Sequence, residues 1–325
     1  MAAAKPVVVI FNAQSSLGAF IRDELRASFD DKVTMRLVYK NKSEMAEAKA
    51  SLGEELEGGL RDVEITYGLI DKGLAGPSWE DVFKNAVAAA YTTDDGYHPK
   101  RVQHAKDFVE LCMKNGVRHL VLDSICGAEK EATFYQKEYN EIETFAMKRR
   151  GRAVTVKMGD RGQLKFAPTF CRRPHYFQHF YYTMSFLKHD KKLFYPLEEG
   201  ELQHVDMSDV AKVMANVLVN PEPHDGKTYN LIGDVQAGNM LASAISMKAG
   251  VQCAYESVPD EVAAHAFTKL GAPKEVANGD VEMLKFIREG GLADVGTGDF
   301  ETVTGSQPRR FGAFVKEDFK PILAA

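Results

Sequence analysis

The sequence predicts an α/β protein on a doubly wound parallel sheet, with a smaller C-terminal α+β lobe. Three observations carry this. Val7 to Phe11 is an unbroken run of β-branched and aromatic residues, as in a strand buried on both faces. After a short polar turn, Leu17, Phe20, Ile21 and Leu25 recur at helical spacing, the pattern of a helix packed on a sheet. Strand-like and helix-like stretches then alternate over the first 158 residues, which favours parallel strands joined by crossover helices. A strand, tight turn and helix at the N-terminus is how a dinucleotide-binding Rossmann unit begins.

The turn departs from the glycine-rich form. Asn12, Ser15 and Gly18 occupy the three positions of a G-x-x-G-x-x-G pattern. In such a loop the first glycine permits a tight backbone, the second admits the pyrophosphate and the third packs helix on strand. Gly18 keeps the packing role, and Asn enters positive φ more readily than most residues. The Cβ of Ser15 takes space the phosphates would use, although its hydroxyl can donate to a phosphate oxygen. The backbone N–H groups of Ser15 to Leu17 point out of a helix N-terminus. The expected cofactor-binding residues are therefore Asn12, Gln14, Ser15, Ser16, Leu17 and Gly18, with Thr92 after the fourth strand.

The remaining elements follow in order. Lys32 to Tyr39 reads as the second strand, and Ser43 as the cap of the helix after it. Val63 to Tyr67 is a third strand with an exit loop at 68–71. Trp79 to Lys84 is a short helix and Asn85 to Thr92 a fourth strand of small residues, followed by a polar loop to Pro99. A helix over Arg101–Asn115 ends at Gly116. Val117 to Leu122 forms a fifth strand, Phe134 to Arg149 a helix and Ala153 to Met158 a sixth strand. Residues 159–200 are rich in aromatics, Asp206 opens another helix, and Thr228 to Ile232 is a short strand. The expected division is a nucleotide-binding domain over 1–158, with returning elements near 204–234, and a mainly substrate-binding lobe over 159–325.

Composition sets limits. The 325 residues are 45% hydrophobic and 27% charged with a net charge of −5, ordinary for a soluble globular chain. No basic block supports nucleic-acid binding. No stretch approaches the roughly 18 apolar residues of a membrane helix, and no secretory signal pattern opens the chain. Four separated cysteines without a C-x-x-C pair read as free thiols in a reducing, cytoplasmic compartment. No histidine pair has zinc spacing and no G-x-S-x-G elbow is present, so neither a metal site nor hydrolase chemistry is expected.

Seven separated patches resemble the NmrA-like family of atypical short-chain dehydrogenase/reductase proteins, with features of its isoflavone-reductase-like branch. They are the Asn12–Gly18 turn, Val38–Ser43, Gly116–Ser124, Lys137–Glu141, His204–Ala211, Gly226–Gly233 and Thr304–Phe314. The resemblance implies a Rossmann domain that binds NADP(H) or NAD(H), and a smaller lobe that closes over a cleft. Members include reductases of quinones, azo dyes and other unsaturated molecules, and also non-catalytic redox sensors and transcriptional regulators.

The resemblance implies roles for particular residues. Lys40 follows the second strand where the family often has an arginine for the 2′-phosphate, and Lys42 adds a second cation. With no acidic residue at the end of that strand, NADP(H) is preferred to NAD(H). Lys137 matches the lone acid/base lysine of the isoflavone-reductase branch, because Thr133 stands where a Tyr-x-x-x-Lys pair needs tyrosine, and the resemblance implies that Lys137 also binds the cofactor. Tyr135 is the nearby alternative proton donor, and Ser124 resembles the family's strand-end serine. His175, Tyr176 and Phe177 lie where substrate contacts are expected, and suit a planar ligand. The function expected is an NADP(H)-dependent oxidoreductase acting on an unsaturated or carbonyl-bearing, quinone-like or aromatic molecule. Alternatives are a redox sensor working through a protein partner, and a redox-neutral isomerase or cyclase. A homodimer is a further expectation.

Overall fold

The computed structural model describes residues 5–57, 63–68, 78–93, 98–154 and 164–324. The elements begin β1 (Val7–Phe11), α1 (Ser16–Phe29), β2 (Thr34–Tyr39), α2 (Lys42–Glu57), β3 (Val63–Tyr67), α3 (Trp79–Val82) and β4 (Ala86–Tyr91). There follow α4 (Arg101–Lys114), β5 (His119–Ile125), α5 (Phe134–Met147), β6 (Ala167–Arg173), β7 (His175–Tyr176) and α6 (Met184–His189). The chain continues through β8 (Lys192–Tyr195), β9 (Glu201–Val205), α7 (Met207–Val219), β10 (Thr228–Asn230), β11 (Asp234–Ala237) and α8 (Gly238–Ile245). It ends with β12 (Ala254–Ser257), α9 (Asp260–Lys269), α10 (Lys274–Arg288), α11 (Asp299–Thr304), α12 (Phe311–Phe314) and α13 (Lys320–Ala324).

Seven strands form one sheet in the order β10-β6-β5-β4-β1-β2-β3, and the registers of β1 with β2 and β4, β2 with β3, and β4 with β5 are all parallel. The chain leaves β1 toward β2 and β3, then returns to place β4 and β5 on the other side. The topological switch point therefore lies between the carboxyl ends of β1 and β4, where such sheets bind ligands.

The chain divides into two compact units that do not follow a single cut in the sequence. The first comprises 1–123, 141–171 and 211–228, the second 124–140, 172–210 and 229–325. In the first unit every residue of β1 is buried. Phe11 stacks on Tyr91 (centroids 5.6 Å apart) and packs on Phe108 at 4.7 Å. Arg36 is the buried cation of β2. It pairs with Glu64 and donates through Nη1 to the carbonyls of Val82 and Lys84, both at 2.8 Å. That satisfies carbonyls at the C-terminus of α3 that the short helix cannot bond itself. His119 is buried at the start of β5 with Nε2 3.0 Å from the Thr169 hydroxyl.

The second unit holds a three-stranded sheet, β11-β9-β7, and a pair, β12-β8. Its core is aromatic: Phe177 packs against His204 (4.6 Å), Phe311 (5.3 Å) and Phe314 (5.5 Å). Asp206 is wholly buried ahead of α7 and is fully partnered. It accepts from Gln178 Nε2 and from the Ser208 backbone N–H, each at 2.9 Å, and pairs with Arg309 at 2.8 Å. Arg309 in turn reaches Glu317 at 2.7 Å and also pairs with Asp318. All four cysteines are free, and burial pushes the Cys126 thiol up to about 12.

Several sequence expectations need correction. Ser43 does not cap α2. The cap is Asn41, whose Oδ1 accepts from the Glu44 N–H at 2.9 Å, while Ser43 lies inside the helix and bonds Glu47. Lys84 and Asn85 form a turn rather than the end of a helix and the start of a strand, with Asn85 at φ 61°. The sixth sheet strand is Ala167–Arg173, inside the aromatic-rich stretch. Ala153 makes only an isolated antiparallel bridge to Lys165, and 155–158 lie outside the described residues, as do 69–71 and 94–97 of the expected loops. Pro168 disguises β6, because a proline rarely occurs within a sheet strand. Its carbonyl still accepts from the Gly226 N–H at 2.9 Å.

Two predictions come from this architecture. A Cβ on Gly18 would meet the Asn12 carbonyl oxygen at 2.7 Å and the Ala13 Cα at 3.0 Å. Gly18→Ala is expected to cost about 2 kcal/mol, read as a lower midpoint in urea. An unchanged midpoint would show that the turn relaxes freely. The second concerns pH. Burial lowers the His119 pKa to about 4 and that of His204 to about 3, so both are neutral when folded. The unfolded chain takes up protons near pH 6.5, so this stability is present above that pH and is lost as pH falls below it. Between pH 7 and 5 each histidine should remove about 2 kcal/mol, measured by denaturant unfolding at each pH. A flat profile would contradict the assignment.

Candidate functional site

The carboxyl end of β1 runs into Asn12, which has φ 64° and is buried. Its amide Nδ2 donates to the Thr92 carbonyl at 3.1 Å, and its Oδ1 accepts from Gln14 Nε2. Ser15 closes the turn with its N–H on the Asn12 carbonyl at 2.9 Å. It then caps α1, its Oγ accepting from the Gly18 N–H at 3.0 Å. The Thr92 hydroxyl lies 3.2 and 3.3 Å from the carbonyls of Phe11 and Asn12 and 2.8 Å from Ser15 Oγ. It has one proton, which goes to those carbonyls, so the proton of Ser15 goes to Thr92 Oγ1.

Proton counting thus turns Ser15 and Thr92 inward. Ser15 sits at φ −66°, ψ 153°, a conformation that needs no glycine, and its side chain fills the β1–β4 junction instead of the mouth of the turn. The charge and the polar groups that remain suit a dinucleotide. The first turn of α1 carries no acidic side chain, so its positive end is uncompensated for a diphosphate. Ser16 is exposed there, next to buried Leu17 and Gly18. The Oε1 of Gln14 is buried with no hydrogen-bond partner among the described residues; a hydroxyl such as a ribose carries would satisfy it.

At the end of β2, Lys40 is half-buried and Lys42 exposed. The Glu44 carboxylate returns by one helical turn to accept from the Lys40 N–H at 3.3 Å. An acidic group therefore does stand at this strand end, four residues further along the chain. Tyr39 is buried in the strand, so its ring is part of the core. At the end of β4, Thr93 donates to Asp123 Oδ2 at 2.7 Å. That bond holds the carboxylate, which is buried, inside the strand ends. Ser124, next in β5, is also buried.

In the second unit, α5 starts with a capping box. Thr133 Oγ1 accepts from the Gln136 N–H at 3.2 Å, and Gln136 Oε1 accepts from the Thr133 N–H at 3.1 Å. Gln136 Nε2 also donates to the Cys126 carbonyl at 3.3 Å. The slot four residues before Lys137 is thus a helix cap. Lys137 is exposed. Glu141, one helical turn further on, pairs with Lys106. The Tyr135 hydroxyl donates to the Val276 carbonyl at 3.4 Å, and its ring packs against Gly279.

The three aromatic candidates differ in kind. Phe177 is fully buried core. Tyr176 is buried with the Arg173 guanidinium 4.7 Å over its ring. His175 is half-buried, with Nε2 2.6 Å from Tyr195 Oη and Nδ1 3.2 Å from His179 Nδ1. Thr93, Glu44 and Gln136 are residues that sequence reasoning passes over, and Asp123, Tyr195 and His179 take partners that their places in the sequence do not show. Only Gln136 left a local signal, the T-x-x-Q spacing of a capping box. No cluster of three metal-ligating side chains occurs among the described residues, and none of their helices is long and apolar enough to cross a membrane.

An NAD(P)H azoreductase of Xenophilus azovorans is 25% identical over 219 residues, 67% of this chain and 71% of that one. A nucleoside-diphosphate-sugar epimerase of Staphylococcus aureus superposes with a TM-score of 0.76 at 19% identity, covering 96% of this chain and 100% of the other. The NADPH-dependent quinone oxidoreductase of Escherichia coli, solved with NADPH, gives 0.76 at 16% identity over 96% and 99%. At these identities the two structures establish the fold. The model of the NmrA-like family matches residues 4–306, nearly the whole chain, and the protein belongs to that family.

Proposed function

We propose that this protein is an NADP(H)-dependent oxidoreductase that reduces an unsaturated or carbonyl-bearing small molecule of quinone-like or aromatic type. The observation that carries the reading is the β1–α1 turn. Its two departures from glycine keep a tight left-handed turn at Asn12 and an inward serine, and leave the helix N-terminus without an opposing acid. The azoreductase relative supports the same class of activity.

In this reading the first turn of α1, with Gln14, Ser16, Leu17 and Gly18, receives the diphosphate. Lys40 and Lys42 meet the 2′-phosphate. Bound nicotinamide supplies a hydride. Ser124 at the end of β5 orients the reacting end. Lys137, on the exposed face of α5, supplies the proton. Thr133 and Gln136 hold the helix that bears it, and Tyr135 is committed to α10.

Two measurements test the proposal. Titration followed by nicotinamide fluorescence should show NADPH binding more tightly than NADH. Lys40→Ala should weaken NADPH about tenfold, the scale of one charge-assisted contact, and leave NADH unchanged. Absence of binding by both at millimolar concentration would overturn the reading. With a quinone and azo-dye panel, Lys137→Ala should lower kcat by roughly 10²-fold or more without weakening NADPH. Equal turnover would remove Lys137 from the chemistry. Binding of NADPH with no turnover on any acceptor would favour the non-catalytic sensor instead.

A further inference from the structure

A buried tyrosine must place its one hydroxyl proton somewhere, and Tyr195 has a single acceptor for it. The residue is 3% exposed, and its ring is pinned by Phe180 (centroids 5.3 Å apart, 19° between planes). Its Oη lies 2.6 Å from His175 Nε2 and makes no other hydrogen bond among the described residues. Burial raises its pKa, which keeps the phenol protonated. The Tyr195 O–H therefore donates, and Nε2 of His175 is the acceptor. A neutral imidazole with its lone pair on Nε2 carries its proton on Nδ1.

That assignment passes along the chain of rings. His175 Nδ1 lies 3.2 Å from His179 Nδ1. With the proton on His175, the Nδ1 of His179 must accept, and His179 keeps its own proton on Nε2. Both imidazoles are neutral. Burial lowers the pKa of each, that of His179 to about 3, and the nearby Arg173 cation acts in the same direction on both. His204 faces His175 in the β7–β9 register but stands outside the chain, its ring against Phe177 and Phe311.

His179 is half-buried, and its Nε2 has no hydrogen-bond partner among the described residues. Tyr176 stands edge-on to its ring (5.7 Å, 88°), and Tyr182, 60% exposed, lies 6.4 Å away. An uncharged N–H donor on a ring flanked by Tyr176 and Tyr182 suits an oxygen of a planar acceptor, whose faces these aromatic rings can pack against.

We infer that Tyr195 and His175 fix His179 as a neutral imidazole whose Nε2–H is a hydrogen-bond donor to an oxygen of a planar, quinone-class ligand. His179 is the ligand-touching residue, and His175 and Tyr195 are positioning residues. The ligand class rests on the proposed oxidoreductase reading. The proton order does not.

Long-range ¹H–¹⁵N correlation spectra of the ¹⁵N-histidine-labelled full chain read that order directly. The wild type should show His175 protonated at Nδ1 and His179 at Nε2. Tyr195→Phe removes the only proton that sets the direction, so the two histidines should show mixed tautomers. A His179 protonated at Nδ1 in the wild type, or spectra unchanged in Tyr195→Phe, would overturn the proton order. The ligand half is read with 1,4-naphthoquinone as probe, by binding and, where turnover occurs, by KM against kcat. His179→Phe should weaken the quinone about tenfold, the scale of one neutral hydrogen bond, and His179→Gln, which retains an N–H, should recover most of it. Equal affinity in His179→Phe would overturn the donor role. If the quinone binds without being reduced, the proposed activity fails while the His179 donor stands. If it does not bind, the ligand assignment fails with it.

Discussion

The buried hydroxyl of Thr92 is the constraint on which the nucleotide-binding half depends. Reversal of strand order at β1 leaves the carboxyl ends of β1 and β4 side by side, where carbonyls and a helix N-terminus would otherwise compete for partners in an apolar setting. Thr92 resolves this with one residue. It donates to the end of β1, accepts from the cap of α1, and offers its own carbonyl to Asn12. The turn can therefore lose two glycines and still hold its shape, because the groups that replace them bond to each other and to β4. Removing any one member would leave a buried polar atom unpaired, which costs more than the bond itself contributes.

The second unit solves a similar problem with charge. Asp206 is buried at the start of α7 and would be expensive to bury alone. It is surrounded by Gln178, Ser208 and Arg309, and the guanidinium is shared with Glu317 and Asp318. Arg309 Nη1 thereby fastens the C-terminal segment to β9 and α7. Two of the patches that carry the family resemblance, His204–Ala211 and Thr304–Phe314, are distant in sequence and turn out to be partners. They share one network, which gives a physical reason for both to be present in the same chain.

Local structure was legible wherever it follows from nearest neighbours. The buried run at Val7–Phe11, the α1 stripe, the cap preference of Asp206 and the left-handed stop at Gly116 were read from residues within one or two turns of each other. The structure departs from the sequence expectation where two local signals compete. Ser43 and Asn41 are both good caps, and the choice depends on where β2 releases the chain. Ala153–Met158 has strand-like composition while β6 carries a proline, yet the sheet accepts β6 because Pro168 needs only its carbonyl. The candidate site was legible as a set of residue types and not as roles. Ser15 reads as a phosphate donor until Thr92 is seen to take its proton. Thr133 reads as a missing tyrosine until Gln136 is seen to complete a cap. The absence of an acid at the end of β2 holds along the chain but not in space, since α2 brings Glu44 back to Lys40.

The sequence alone determined the alternation of strands and helices, the parallel sheet and the position of the nucleotide turn, because hydrophobic periodicity and turn chemistry are local properties. Tertiary structure decided where each polar proton goes. That is a matter of which groups meet across long separations, such as Ser15 with Thr92, His175 with Tyr195 and Asp206 with Arg309. Burial then makes each meeting obligatory, since an unpaired polar atom inside the protein is costly. Residue types name the chemistry available; the fold fixes which atoms of it face a ligand.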